Sequence, residues 1–355
     1  MRGWRNLADV LEVYRAAHDP VLIWGPPGVG KTAAVEALGA SRVATVILSQ
    51  REPGDLAPMV ILNDADAGQV VSRIVDRDID AVMDDPSAIL FLDELSCADS
   101  ARQAAALEIL GSRRIAGRAI RAWIVAAANP SEYAASGGLL SAPAANRVAH
   151  EEYEGPETEE YASFLATKYP ENPTALAIGA FLEDEPSLLI SIPRDEEAQS
   201  RAWPSPRSWE AGIRAVNASG DRGAAFAVKR LRACVGEAGQ AAYDYLATVN
   251  IPRGDALLAM PSLDATWRPD VQRIAGRVAV AYARRAGKLA DAVTLLIRTA
   301  DEQRPDGSSM LGVAKSSLRL IAPAELVVFA HKLPKDVLTA LASGDLAACN
   351  RERAR

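Results

Sequence analysis

Cysteine is scarce: Cys97, Cys234 and Cys349 stand far apart in 355 residues. There is no CxxC pair and no Cys/His cluster to hold zinc, and an odd number of cysteines makes no disulfide framework. Histidine is equally sparse, and His18, His150 and His331 are scattered singly, which assigns them structural rather than catalytic roles. No uninterrupted apolar run reaches the roughly 20 residues of a transmembrane helix. The first residues, MRGWRNLADVLEVYRAAHDP, lack the apolar core of a signal peptide. These absences point to a reducing cytoplasm. An excess of positive charge is missing too: 39 Lys and Arg face 46 Asp and Glu, a formal charge of −7. That balance argues against a general nucleic-acid coat or an anionic membrane surface as partner.

What remains is an ordinary globular composition, 49% hydrophobic and 24% charged, with length enough for two or three packed units. Leu7, Val10, Leu11 and Tyr14 recur at helical spacing, so residues 4–17 read as an opening helix. Short apolar strands follow at 21–24, 43–48, 88–92, 123–128 and 148–153, separated by helices at 31–38 and 100–110. Residues 51–68 read as irregular and 69–83 as a helix, while 111–122 read as a hairpin carrying Arg113, Arg114, Arg118 and Arg121. Strands alternating with helices predict an α/β fold, a parallel sheet covered on both faces. From Pro156 onward the pattern is helical, broken at Trp203-Pro204-Ser205-Pro206, Ile251-Pro252-Arg253-Gly254 and Arg304-Pro305-Asp306-Gly307. The expected domains are 1–170 (αβα core), 171–261 (helical lid) and 262–355 (C-terminal helical region).

Three segments carry chemistry. Gly25-Pro26-Pro27-Gly28-Val29-Gly30-Lys31-Thr32 fits GxxxxGK[ST] between a predicted strand and helix. The glycines let backbone N–H groups turn in around phosphates, Lys31 reaches the β- and γ-phosphates, and the Thr32 hydroxyl ligates Mg²⁺. Ile89-Leu90-Phe91-Leu92-Asp93-Glu94 is an apolar strand ending in two acids. Asp93 would hold Mg²⁺ and Glu94 would polarise the attacking water. Trp123 to Ala128 is another buried strand, ending at Asn129-Pro130, and places Asn129 to orient that water beside Glu94. Together these predict ATP and Mg²⁺ as cofactors and ATP hydrolysis as the reaction.

In order and spacing, GPPGVGKT, ILFLDE, AAANP, SAPAANR and WPSPRSW resemble the AAA+ ATPases, and their MoxR-like branch most closely, from about Pro20 to Arg214. The resemblance implies a P-loop NTPase core with an all-helical lid. It also implies that Arg147 points into a neighbouring subunit's ATP, and that Arg207, at the start of a lid helix, touches the γ-phosphate in cis. Relatives commonly have an aromatic after the first arginine, where this chain has Val148. They carry extra segments resembled here by Ser49-Gln50-Arg51-Glu52-Pro53-Gly54-Asp55-Leu56 and by the arginine hairpin. Such loops face a ring's pore, with plain solvated loops as the alternative. Trp203 and Trp209 are expected to pack the lid. Arg284, Arg285 and the tail 351–355 are expected to be solvated.

The reading that follows is an ATP-driven remodeller: a homo-oligomeric, hexameric ring acting on a protein client, of which a von Willebrand factor A-domain protein is one kind. A DNA-acting motor or restriction-type translocase is the second reading, disfavoured by the acidic charge. A nucleotide-gated binding module that scarcely turns ATP over is the third, disfavoured by the presence of Asp93, Glu94 and Asn129 together.

Overall fold

A computed structural model describes residues 1–64, 68–133, 139–169, 172–220, 222–248, 252, 254–318, 320–321, 325–326, 328–329 and 333. His331, Cys349, Ile251, Arg253 and the tail 351–355 lie outside the described residues. The chain forms two compact units, Met1–Glu157 and Thr158–Arg355.

The first unit is built on five parallel strands: β1 (Val21–Trp24), β2 (Val43–Ile47), β5 (Ile89–Asp93), β8 (Trp123–Ala128) and β9 (Ala149–Glu152). They lie in the order β2-β5-β8-β1-β9. Every residue of β8 is buried, as are the first four of β5 and the first three of β1. Continuous apolar strands of this kind need cover on both faces. Helices supply it: α1 (Trp4–Ala17), α2 (Lys31–Glu36), α3 (Arg77–Met83), α4 (Ser100–Leu107) and the short α5 (Ala142–Ala145). Leu7 and Leu11, one turn apart on α1, are its fully buried residues. The largest core cluster gathers Leu22, Val46, Leu90, Leu92, Ile124 and Ala126 from four strands with Ile79 and Met83 of α3.

Residues 59–64 and 68–73 correct the expected irregular stretch and helix. They form an antiparallel hairpin, β3 (Met59–Asp64) with β4 (Gly68–Arg73), in which Ile61 pairs with Val71. The helix begins only at Arg77, where the Asp76 carboxylate caps the Asp78 N–H. β-branched Val70 and Val71 favour the pleated strand, and the N-cap at Asp76 fixes where helix can start. Met59, Ile61 and Val71 remain exposed on it.

The second expected hairpin is present, as β6 (Arg114–Ile115) paired with β7 (Arg118–Ala119). Its arginines are tied to the body of the unit. Arg113 donates to the His18 and Ala122 carbonyls at 2.7 and 2.9 Å. Arg118 bonds Asp80 within α3 and Asp84 just past its end.

Among its described residues the second unit is helical: α6 (Thr158–Lys168), α7 (Pro173–Asp184), α8 (Glu196–Gln199), α9 (Pro206–Ser219), α10 (Ala224–Val235), α11 (Ala238–Thr248), α12 (Gly254–Leu258), α13 (Pro269–Arg285), α14 (Leu289–Ala300) and α15 (Leu311–Leu318). One core joins α12 to α15 through Leu257, Ala279, Leu296 and Val313. Trp209 is fully buried, and its indole N–H donates to the Leu188 carbonyl at 2.7 Å. Arg277, 2% exposed, pairs with Glu183 and so ties α13 to α7.

Candidate functional site

Ligands of open parallel sheets bind beyond the carboxyl ends of the strands, where the strand order reverses. Here β1 runs between β8 and β9, and the chain leaves β1 at Trp24 straight into the glycine loop. Because β5, β8 and β1 are neighbours and parallel, Asp93-Glu94, Asn129 and the loop emerge side by side.

Backbone geometry explains the loop's composition. Gly28 and Gly30 have φ of 77° and 99°, the left-handed region that favours glycine. At Gly25 the constraint is space: a Cβ there would lie 2.3 Å from the Tyr153 carbonyl oxygen. Val29 is fully buried and anchors the turn. Gly30 is the N-cap of α2 and offers no side chain to the first helical N–H groups.

Lys31 is 9% exposed. Its ammonium donates to the carbonyls of Gly25 and Pro26 at 2.7 and 2.9 Å and to Asn129 Oδ1 at 2.8 Å. A buried ammonium needs such acceptors to offset lost hydration. Thr32 Oγ donates to Asp93 Oδ2 at 3.3 Å, which brings the two expected Mg²⁺ ligands together. The other oxygen of Asp93 accepts the Glu94 N–H at 2.9 Å and so orients the carboxylate. Two hard oxygens beside a phosphate cradle fit magnesium, which takes few protein ligands and completes its shell with phosphate and water.

Glu94 has φ 58°, a left-handed conformation rare for a side-chain-bearing residue. Strain of this kind clusters at functional sites. Its carboxylate accepts the Ser49 hydroxyl. Ser49 is held by the segment around it: Arg51 bonds Asp76 at 3.1 Å, and Arg102 donates to the Arg51 carbonyl at 2.7 Å. Asn129 is fixed from behind, since the Ser96 hydroxyl donates to its carbonyl at 3.0 Å and accepts its N–H at 3.1 Å. Beside them, burial raises the Cys97 thiol above its ordinary pKa, and the Glu94 carboxylate adds to the effect.

Residues 21–130 match the model of the ATPase family associated with various cellular activities, AAA. That match spans less than a third of the chain. The matched segment contains the glycine loop, Asp93, Glu94 and Asn129, and ends before Arg147 and Arg207. No curated protein matches the chain by sequence. Among solved structures, NtrX from Brucella abortus in complex with ADP shares 15% identity over 90% of this chain and 68% of that one, with a TM-score of 0.34. A point mutant of RuvB from Thermotoga maritima shares 15% over 90% and 94%, with a TM-score of 0.38.

Within the matched segment, the structure brings together Lys31, Thr32, Asp93, Glu94 and Asn129. Arg147 is exposed and forms no hydrogen bond with any of them; it donates to the Pro143 carbonyl at 2.6 Å. Its side chain lies on Gly111, where a Cβ would fall 2.5 Å from Arg147 Nε. Arg207 belongs to the second unit. It is exposed in the first turn of α9, with no acidic residue in that turn. The helix start is rigid: Ser205 and Ser208 form a reciprocal capping box, and Tyr161 OH donates to the Pro206 carbonyl at 2.8 Å. A cation at the positive end of a helix is electrostatically unfavourable.

The sequence reading missed the roles of Ser49 and Ser96. Each contact joins residues more than 30 positions apart, so no local pattern announces it. The one available signal was that both serines sit just past strand ends on the same side of the sheet.

Proposed function

We propose that this chain binds ATP with Mg²⁺ and hydrolyses it, as a MoxR-like AAA+ protein. The observation that supports this most is the Lys31 ammonium lying 2.8 Å from Asn129 Oδ1 while Thr32 Oγ lies 3.3 Å from Asp93. Three strand ends thereby converge on one place where a triphosphate's charge and its metal ion could be met. Lys31 and the loop amides would hold the phosphates, Thr32 and Asp93 the Mg²⁺, which when bound offsets charge on the transferred phosphoryl group. Glu94 would polarise the attacking water, and Asn129 would orient it. In this reading Arg147 acts on the neighbouring protomer's nucleotide in a homo-oligomeric ring, and Arg207 supplies a second cation. The ring would couple hydrolysis to work on a protein client.

The test is ATPase rate against protein concentration for the wild type and Arg147→Ala, with size measured in parallel. A cooperative rise that the substitution abolishes supports shared active sites. A flat rate independent of Arg147 removes the ring mechanism. Glu94→Gln separates hydrolysis from a binding-only module: it should bind ATP and retain it unhydrolysed.

A further inference from the structure

His150 lies among the residues to which no part has been given. It is on β9 and exposed, so water could satisfy its ring. Both ring nitrogens are instead committed to protein. The Trp24 indole N–H donates to Nδ1 at 2.8 Å. An indole nitrogen is only ever a donor, so the imidazole proton sits on Nε2. That N–H then donates to the Ala145 carbonyl at 2.9 Å. The two rings also stack, with centroids 6.2 Å apart and planes at 13°.

The two ends of this bridge matter more than the bridge. Trp24 is the residue before Gly25, and its carbonyl accepts the Tyr153 N–H at 2.7 Å. Ala145 is the last residue of α5. Asn146 and Arg147 follow it directly, their N–H groups held by the Ala142 and Ala144 carbonyls at 3.1 Å each. One imidazole therefore spans from the strand that enters the phosphate loop to the helix end that carries Arg147.

We propose that His150 is a positioning residue: it clamps the strand entering the phosphate loop to the end of α5, and so fixes the stance from which Arg147 acts. This rests on the reading above, in which Arg147 serves the neighbour's nucleotide. The clamp makes a protomer's outgoing arginine answer to the loop that holds its own nucleotide.

The experiment is a double-mutant cycle on the full chain at saturating protein, reading kcat, KM and ADP affinity. His150→Phe keeps the stack and removes both hydrogen bonds, whereas His150→Gln keeps one donor and one acceptor. Hydrogen bonds near 1 kcal/mol predict that His150→Phe lowers kcat about fivefold. ADP affinity should stay within about twofold, and His150→Gln should recover most of the loss. In the Arg147→Ala background, His150→Phe should change the residual rate by less than about twofold, because a clamp has nothing left to position. An equal loss in both backgrounds, or an unchanged kcat in the single variant, overturns the proposal while leaving the ATPase reading intact. An Arg147→Ala protein as fast as wild type overturns the proposal and the shared-site ring mechanism together, while ATP hydrolysis itself stands. Should His150→Phe fail to fold, Trp24→Phe removes the donor alone and runs through the same cycle.

Discussion

Asn129 accepts a hydrogen bond from the Lys31 ammonium at 2.8 Å, joining the end of one strand to the start of the helix that follows its neighbour. Asn129→Ala takes away one of the acceptors around a buried cation. We expect kcat to fall about a hundredfold, the scale of losing one oriented polar group at a reacting centre. Steady-state kinetics with a separate ATP affinity measurement checks this, and an unchanged kcat would remove Asn129 from the chemistry.

Gly111 and Arg147 make a second pair. Alanine usually stabilises a helical position relative to glycine, by up to about 1 kcal/mol. Here its Cβ would fall 2.5 Å from Arg147 Nε, and the flexible arginine, rather than backbone, must move. Gly111→Ala should therefore fold with near-normal stability and lose ATPase activity toward the Arg147→Ala level. Thermal melts beside concentration-dependent rates distinguish this from a fold defect.

Arg207 stands at the positive end of α9, with no acid in the first turn. Replacing it with alanine should raise helix stability by about 0.3–1 kcal/mol, while ATPase falls about tenfold or more. A protein made more stable and less active at once would separate the arginine's function from its structural cost. A variant as active as wild type would leave Arg207 a surface residue.

Tyr161 carries the pH prediction. Burial raises its pKa well above the usual 10, with the Glu210 charge adding to the effect. The folded state thus keeps the proton that the unfolded chain gives up near pH 10. The tyrosine's stabilising contribution is complete below that pH and declines as pH rises above it. Tyr161→Phe should cost about 1–2 kcal/mol at pH 7 through the lost bond to Pro206. That deficit should shrink above about pH 10. Denaturant titrations at pH 7 and 10.5 check both parts.

Much of this was legible beforehand, for identifiable reasons. The glycine loop, β5 and β8 each carry their signal within ten residues, so strand, turn and polar tip could be read together. What failed was the helix start: 77–83 is helical, but at 69–76 the apolar spacing of Val70, Val71 and Ile74 suits a helix as well as a strand, and the start signal is the single N-cap at Asp76. The contacts of Lys31 with Asn129 and of Ser49 with Glu94 depend on the strand order, which periodicity does not contain. Arg118 reads as a loop cation until α3 is seen to present Asp80 and Asp84 to it.

One turn has a consequence for how such chains diverge. α4 does not end as an α-helix but widens into a π turn at Glu108–Ser112, which includes the Gly111 that receives Arg147. A π turn is an α-helix with one residue more. Deleting that residue would restore the regular winding and rotate everything behind it, the arginine hairpin included, by about 100°. Point substitutions can drift through this region, but a one-residue deletion cannot pass without re-aiming the hairpin and closing the seat of Arg147. In descendants of this chain, length should be held more tightly here than residue identity.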